Sequence, residues 1–113
     1  MASERPRRIS LMIVGENRTR TILLNLLDRA VVGRSESDEN VPELDLDPFG
    51  GAKSGVSRVH AAFIVEDEFI CVEDLNSSSG TRLNGLPLTP HERYRLRSQD
   101  ELEFGRVRVT VKL

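Results

Sequence analysis

The chain has 113 residues, 38% of them hydrophobic, which suits one domain over residues 1–113 with a single core. Sixteen basic residues stand against eighteen acidic ones, and the formal net charge is −2. This balance gives no general attraction to nucleic acid or to membranes, so neither is expected as a partner. No stretch reaches the roughly 18 apolar residues that span a bilayer, and no apolar run of signal-peptide length follows "MASERPRRIS". The sequence therefore predicts a cytoplasmic protein whose recognition of any anion is local.

The first half of the chain predicts short strands and one long loop. "RISLMIV" (residues 8–14) is an apolar run of strand length. "ILLNLLDRAVV" (22–32) fits a strand, a turn and a second strand, although its apolar residues also fit one face of a helix. Residues 35–54 have a loop-like composition, with two prolines and six carboxylates against the single cation of Lys53. This acidic loop directly precedes the stretch "GVSRVHA" (55–61).

The second half predicts further strands at close spacing. "AAFIVE", "FICVED", "GTRLNG" and "ERYRLR" are short runs separated by turn-forming residues. In "ELEFGRVRVTVKL" apolar residues occupy every second position except at Gly105, which indicates two strands joined by a tight turn. Short strands at this spacing predict an all-β sandwich or barrel.

Catalytic and metal-binding motifs are incomplete in this sequence. "GVSRV" lacks the second glycine of a nucleophile elbow, because Val59 stands there, and "GGAKS" has Ala52 where a P-loop needs glycine. His60 and His91 are the only histidines. Cys71 has apolar neighbours that predict a small buried side chain. We therefore expect no enzymatic activity, no metal and no cofactor.

Small polar and basic residues nevertheless follow one another at predicted loop ends. They form "VGRS" (32–35), "GVSRVHA" and "DLNSSSGTRLNG" (74–85). In this order and at these separations they resemble the forkhead-associated (FHA) domain, and "DELEFG" extends the resemblance to about residues 30–105. The resemblance implies a β-sandwich of about eleven strands, of the SMAD/FHA type, whose loops at one end bind phosphothreonine peptides without catalysis.

The resemblance also assigns residues to the phosphopeptide. Arg34 and the Ser57 hydroxyl are expected at the phosphate, where a fixed guanidinium and short donors suit a charge of about −1.5 to −2. Ser78 is expected to add a hydroxyl or backbone donor, and Arg58 to reach the phosphate or the peptide backbone. Ser79 stands where the family has an asparagine that contacts the peptide main chain, so the grip on the peptide is expected to be weaker.

Other motif positions are expected to support the site rather than to contact the peptide. His60 is predicted to be buried and to brace the loops, while the glycines are predicted at turns that a side chain would obstruct. The supporting positions are Gly33, His60, Gly80, Thr81, Asn84 and Gly85. The sequence thus predicts a phosphothreonine-dependent interaction module in Ser/Thr kinase signalling, with a phosphothreonine-containing protein as partner. The alternative is a phosphate-independent scaffold that uses the same sandwich, and the Ser79 departure keeps it open.

Overall fold

Two stacked β-sheets make up the protein. The computed structural model describes residues 6–37 and 41–113, so Asp38 and Glu39 of the acidic loop lie outside the described residues. In the described part, eleven strands form one sheet of six and one of five, which confirms the all-β sandwich. The strands are β1 (Arg7–Val14), β2 (Thr19–Leu26), β3 (Arg29–Gly33), β4 (Leu44–Asp45), β5 (Val59–Glu66), β6 (Phe69–Asp74), β7 (Thr81–Leu83), β8 (Leu86–Pro87), β9 (Arg93–Arg95), β10 (Glu101–Phe104) and β11 (Val107–Lys112).

Strand order places the first and last strands side by side. The six-stranded sheet runs β2-β1-β11-β10-β7-β8, and the five-stranded sheet runs β4-β3-β5-β6-β9. The β3 and β4 pair is parallel, whereas β1 pairs antiparallel with both β2 and β11. Side chains that alternate along these strands fill the space between the sheets.

Alternation along the strands explains the core. In β1 the side chains of Ile9, Leu11 and Ile13 are buried. Phe63 and Phe104 meet edge to face with ring centroids 6.3 Å apart, which joins β5 of one sheet to β10 of the other. Cys71 is buried as predicted, and that burial raises the pKa of its thiol, which suits an unreactive side chain.

The structure decides between the two alternatives predicted for residues 22–32 and differs from the prediction in part of the acidic loop. Residues 22–32 form the end of β2, a turn and β3, so the helical alternative is wrong. The acidic loop contains β4 and two short 3-10 helices, Asp47–Phe49 and Gly51–Ser54, because Leu46 and Phe49 turn into the core. Its prediction as plain loop was therefore wrong over this part. Within residues 6–37 and 41–113, no helix is long and apolar enough to cross a membrane.

Candidate functional site

Strand pairing gathers four loop ends at one end of the sandwich. Gly33 at the end of β3 pairs with Val59 at the start of β5, and Ala61 pairs with Asp74 at the end of β6. In the other sheet, the start of β7 pairs with the end of β10, and the Gly105 N–H donates to the Gly80 carbonyl (3.3 Å). The segments that follow β3, precede β5, join β6 to β7 and join β10 to β11 therefore form one surface.

Arg34 leaves β3 at this surface and is held by backbone contacts. Its Nε–H donates to the Val56 carbonyl (2.8 Å), and its own N–H donates to the Arg58 carbonyl (3.3 Å). A Cβ on Gly33 would lie 1.8 Å from the Arg58 carbonyl oxygen, so only glycine permits this approach. The Arg34 side chain keeps 20% exposure, which leaves a fixed guanidinium that solvent and ligands still reach.

Ser57 is fixed through both its backbone and its side chain. Its N–H donates to His60 Nδ1 (3.0 Å), and its Oγ accepts from the Ser78 N–H (3.1 Å). Because the hydroxyl oxygen already accepts one bond, its own hydrogen can be donated outward. Ser57 lies one residue after Val56, to which Arg34 is anchored. Guanidinium and hydroxyl donors are therefore neighbours, and this combination suits a ligand rich in acceptor oxygens.

His60 is buried beneath the loop surface and connects the segment before β5 to the loop between β6 and β7. It is completely buried, and its Nε2–H donates to the Gly80 carbonyl (2.9 Å). Since Nδ1 accepts from the Ser57 N–H, the ring is the neutral tautomer with its proton on Nε2. Burial lowers the pKa of His60, against the opposing effects of the Gly80 carbonyl and Asp74. The ring also meets Phe104 edge to face, with centroids 5.8 Å apart.

Asp74 holds the loop between β6 and β7, and the sequence analysis missed it. Its carboxylate accepts from the hydroxyls of Ser77 (2.5 Å) and Thr81 (2.6 Å) and from the Ser77 N–H (3.2 Å). Asp74 and Thr81 are both 1% exposed, so these bonds form away from water. The signal was present in "DLNS", since an aspartate three residues before a serine is typical of a side-chain-stabilised turn. Thr81 is therefore buried and braces the loop through Asp74.

Ser78 and Ser79 form the exposed crest of the same loop. The backbone N–H of Ser78 is the group that meets Ser57, which leaves its hydroxyl outside that contact. Gly55 (φ +80°) passes so close that a Cβ there would lie 2.5 Å from Ser79 Oγ. Ser79 thus rests against the segment that carries Ser57. Gly80 has open space around it, and its positive φ of +83°, not crowding, explains the glycine.

Asn84 and Gly85 lie elsewhere. They form the turn between β7 and β8, where Asn84 bonds Asp100 through its amide (3.0 Å) and accepts from the Glu101 N–H (2.9 Å). This turn is at the end of β7 that lies away from Gly80, roughly 10 Å along the strand. A Cβ on Gly85 would meet nothing within 4 Å, so the obstruction predicted at Gly80 and Gly85 is wrong at both, and the positive φ of +85° explains the glycine here as well. These two residues brace a hairpin and are not brought to the loop surface.

Glu36 connects the two arginines of the site. One of its carboxylate oxygens, Oε1, lies 2.9 Å from Arg34 Nη1 and 2.8 Å from Arg58 Nε. The hydrogen bond from Arg34, reinforced by Arg58, holds the pKa of Glu36 below its ordinary value. Nothing in the sequence separated Glu36 from the five other carboxylates of the acidic loop. Arg58 is 68% exposed, so its ion pair lies in water.

A cavity of about 410 Å³ opens beside this ion-pair cluster. Both arginines and Glu36 line it, together with apolar side chains that include Val31 and Val59. Among residues 6–37 and 41–113, no group of three or more His, Cys, Asp or Glu side chains is placed to hold a metal ion.

Comparison with known proteins identifies the architecture. The family model of the FHA domain matches residues 30–105. Over 70 residues the chain is 40% identical to Protein FraH of Nostoc sp. (strain PCC 7120), a match that covers 62% of this chain and 24% of that protein. The chain thus spans about a quarter of the length of that relative.

Solved structures agree with this match. A domain from a study of phosphothreonine-dependent FHA domain interactions has a TM-score of 0.70 at 22% identity, covering 95% of this chain and 97% of that one. The FhaA FHA domain complexed with the intracellular domain of Rv3910 has a TM-score of 0.69 at 24% identity, covering 92% and 99%. At such identities the likeness establishes the fold. With a family match over most of its length, the chain belongs to the FHA domain family.

Proposed function

We propose that this FHA domain binds phosphothreonine peptides at the loop surface and acts as a non-catalytic interaction module in Ser/Thr kinase signalling. The observation that carries the proposal is that the Arg34 guanidinium is anchored to the Val56 carbonyl, one residue before Ser57, whose hydroxyl oxygen already accepts from the Ser78 N–H and whose hydrogen can be donated to a ligand. Such a site offers donors to a phosphate, which brings three acceptor oxygens and about two negative charges. Arg58 follows Ser57 in the chain and the Ser78 N–H donates to Ser57 Oγ, so we expect Arg58, Ser78 and Ser79 to contact the peptide beside the phosphate.

The comparisons support this proposal through what is known of the relatives. One structural neighbour was solved in a study of phosphothreonine-dependent FHA domain interactions. Another, the FhaA FHA domain, was solved in complex with the intracellular domain of Rv3910. By similarity, we infer that the partner of this chain is a phosphothreonine-containing protein. The residues that the family resemblance assigns to the phosphopeptide are Arg34, Ser57, Arg58, Ser78 and Ser79, and we propose that these five bind it.

Paired peptides test the proposal against the scaffold alternative. A degenerate library fixed at phosphothreonine would supply a binding sequence, which is then synthesised with threonine, phosphothreonine and phosphoserine. Calorimetry on the full chain should detect binding of the phosphothreonine form and at least tenfold weaker binding of the threonine form, because charge-assisted bonds contribute about 1.5–3 kcal/mol each. Equal affinity of the two forms would instead support a scaffold that ignores phosphate.

The phosphoserine peptide should bind about three- to fivefold more weakly than the phosphothreonine peptide. Burying one methyl group contributes about 0.8 kcal/mol, and the β-branched side chain of threonine loses less freedom on binding. The three dissociation constants from the same calorimetric series give the comparison. Equal constants for the two phosphopeptides would remove the apolar contact for the threonine methyl.

Ser79→Asn should increase the affinity for phosphothreonine peptides about two- to tenfold, because an added neutral hydrogen bond contributes roughly 0.5–1.5 kcal/mol. The asparagine amide would reach the peptide main chain, where the family has this residue. The gain should be absent for free phosphothreonine, which offers no extended main chain. An unchanged peptide affinity would mean that the peptide backbone does not pass beside Ser79.

A further inference from the structure

The two arginines of the proposed phosphate site already share a bound anion, the carboxylate of Glu36. Oε1 of Glu36 lies 2.9 Å from Arg34 Nη1 and 2.8 Å from Arg58 Nε. These are hydrogen-bond distances, so the carboxylate uses donors that a phosphate at the same arginines would need. Glu36 is therefore placed to compete with a ligand.

The backbone next to Glu36 is held so that this contact forms. Ser35 donates from its N–H to Asp45 Oδ1 (3.0 Å) and from its hydroxyl to Asp45 Oδ2 (2.6 Å). Although burial opposes the effect, the bonds from Ser35 and from the Asp47 N–H lower the pKa of Asp45, which keeps it a charged acceptor. Asp45 belongs to β4 and lies opposite Gly33. The residue before Glu36 is thereby tied to the strand that leads into Arg34.

We propose that Glu36 is an internal competitor of phosphate: its carboxylate neutralises Arg34 and Arg58, and a phosphorylated side chain binds by displacing it. This inference rests on the proposed function. Only the fraction of molecules in which Glu36 has moved away is competent to bind, and the apparent affinity falls by that fraction. Because the Glu36 carboxylate shared by both ion pairs is 44% exposed, water screens the pairs and each contributes little, so a dianion with three oxygens can replace them.

The same competition makes Glu36 a determinant of specificity. A carboxylate attached to the site by a few residues of chain has an effective concentration on the order of millimolar. An aspartate or glutamate of a free peptide has the same charge and arrives from a far more dilute solution. It therefore fails to displace Glu36, whereas phosphate succeeds through its additional charge. The neighbouring cavity of about 410 Å³, which Glu36 itself lines, gives its side chain room to move.

Glu36→Gln tests the proposal, with Glu43→Gln as the matched control. Glu43 lines the same cavity, but its Oε1 accepts from the Val31 N–H (2.9 Å). The probes are the selected phosphothreonine peptide, its glutamate-substituted form and inorganic phosphate, all measured on the full chain. Glu36→Gln should bind the phosphopeptide and inorganic phosphate about three- to tenfold more tightly and should make weak binding of the glutamate peptide measurable. Glu43→Gln should stay within about twofold of the unmodified chain.

Three results would overturn the proposal. Weaker binding by Glu36→Gln would mean that Glu36 orients the arginines, unchanged binding would mean that it does not compete, and an equal gain in Glu43→Gln would reduce the effect to overall charge.

A ligand-free measurement separates this inference from the proposed function. The side-chain NMR signals of Arg34 and Arg58 should shift as Glu36 is protonated, with a midpoint below its ordinary pKa of 4.5, and this titration should vanish in Glu36→Gln but persist in Glu43→Gln. The second comparison matters because the Glu43 carboxylate lines the same cavity as Glu36 and both arginines. Arginine signals that do not follow Glu36 would refute the internal contact. If the contact titrates as expected but no probe binds either variant, the proposed function is refuted instead, and with it the competition.

Discussion

Arg34→Ala should weaken binding of the phosphothreonine peptide by at least tenfold. The Arg34 guanidinium is fixed by the Val56 carbonyl and is only 20% exposed, so it loses little freedom when it pairs with phosphate. Each charge-assisted bond contributes about 1.5–3 kcal/mol, and one such bond corresponds to roughly a 10- to 150-fold change in affinity. Calorimetry with the selected peptide gives the loss, and thermal unfolding checks that the fold is intact.

Two further variants make the Arg34 result specific. Arg34→Lys keeps the charge but loses the Nε–H that reaches Val56, so its affinity should fall between those of the unmodified chain and the alanine variant. Arg20→Ala removes an exposed arginine from β2, at the edge of the other sheet, and should bind normally. If Arg20→Ala and Arg34→Ala weakened binding equally, general charge would explain the loss. Retained affinity in Arg34→Ala would exclude Arg34 from the phosphate site.

His60→Ala should lower the free energy of unfolding by about 2–4 kcal/mol and should weaken peptide binding as well. The substitution removes a fully buried ring and leaves the Ser57 N–H without its acceptor. It also removes the shorter of the two hydrogen bonds to the Gly80 carbonyl, which keeps only the bond from the Gly105 N–H (3.3 Å). For a domain of this size the loss corresponds to a melting temperature lower by about 10 °C or more. Calorimetric melting measures the first effect, and peptide titration below the new transition measures the second.

The pH dependence gives an independent check on His60. Its pKa is lowered by burial in the folded state, so the unfolded chain takes up the proton first as the pH falls. The stabilisation is therefore complete above about pH 6.5, the ordinary value for histidine, and decreases as the pH falls through the folded pKa. Urea unfolding at pH 7.5 and 5.5 should show this loss in the unmodified chain and in His91→Ala, whose imidazole is 64% exposed, but less of it in His60→Ala. Similar losses in all three would exclude His60 as the group responsible.

The sequence predicted the sandwich because its motifs and alternating strands are local signals. In β11, apolar residues at every second position define the buried face without any knowledge of the partner strands. In contrast, β4 and β8 have two residues each, too few to show any period. These two strands form because their backbone groups pair with β3 and β7, and this pairing leaves no pattern in the local sequence.

The candidate site likewise contains residues that the sequence predicted and residues that only the folded structure reveals. The order of the FHA motifs placed Arg34 and Ser57 in one site before the fold was known, and the structure brings them to adjoining segments. The role proposed for Glu36 depends on a contact with Arg58, 22 positions later in the chain, which only the folded loops create. Asn84 shows the converse: it is a motif position close to the site in sequence, but it lies at the far end of β7, away from the site.

The pairing of β1 with β11 determines when this sheet can be completed. Leu11 lies opposite Val111, so nearly the whole chain separates two strands that share hydrogen bonds. Topologies dominated by such distant pairings fold in about milliseconds to seconds, because loop closure must precede the contacts that reward it. During synthesis β1 can pair with β2 soon after both strands are made, whereas its other edge stays unpaired until β11 has been synthesised. The addition of β11 is thus the step that joins the β1–β2 hairpin to β10 and completes the six-stranded sheet.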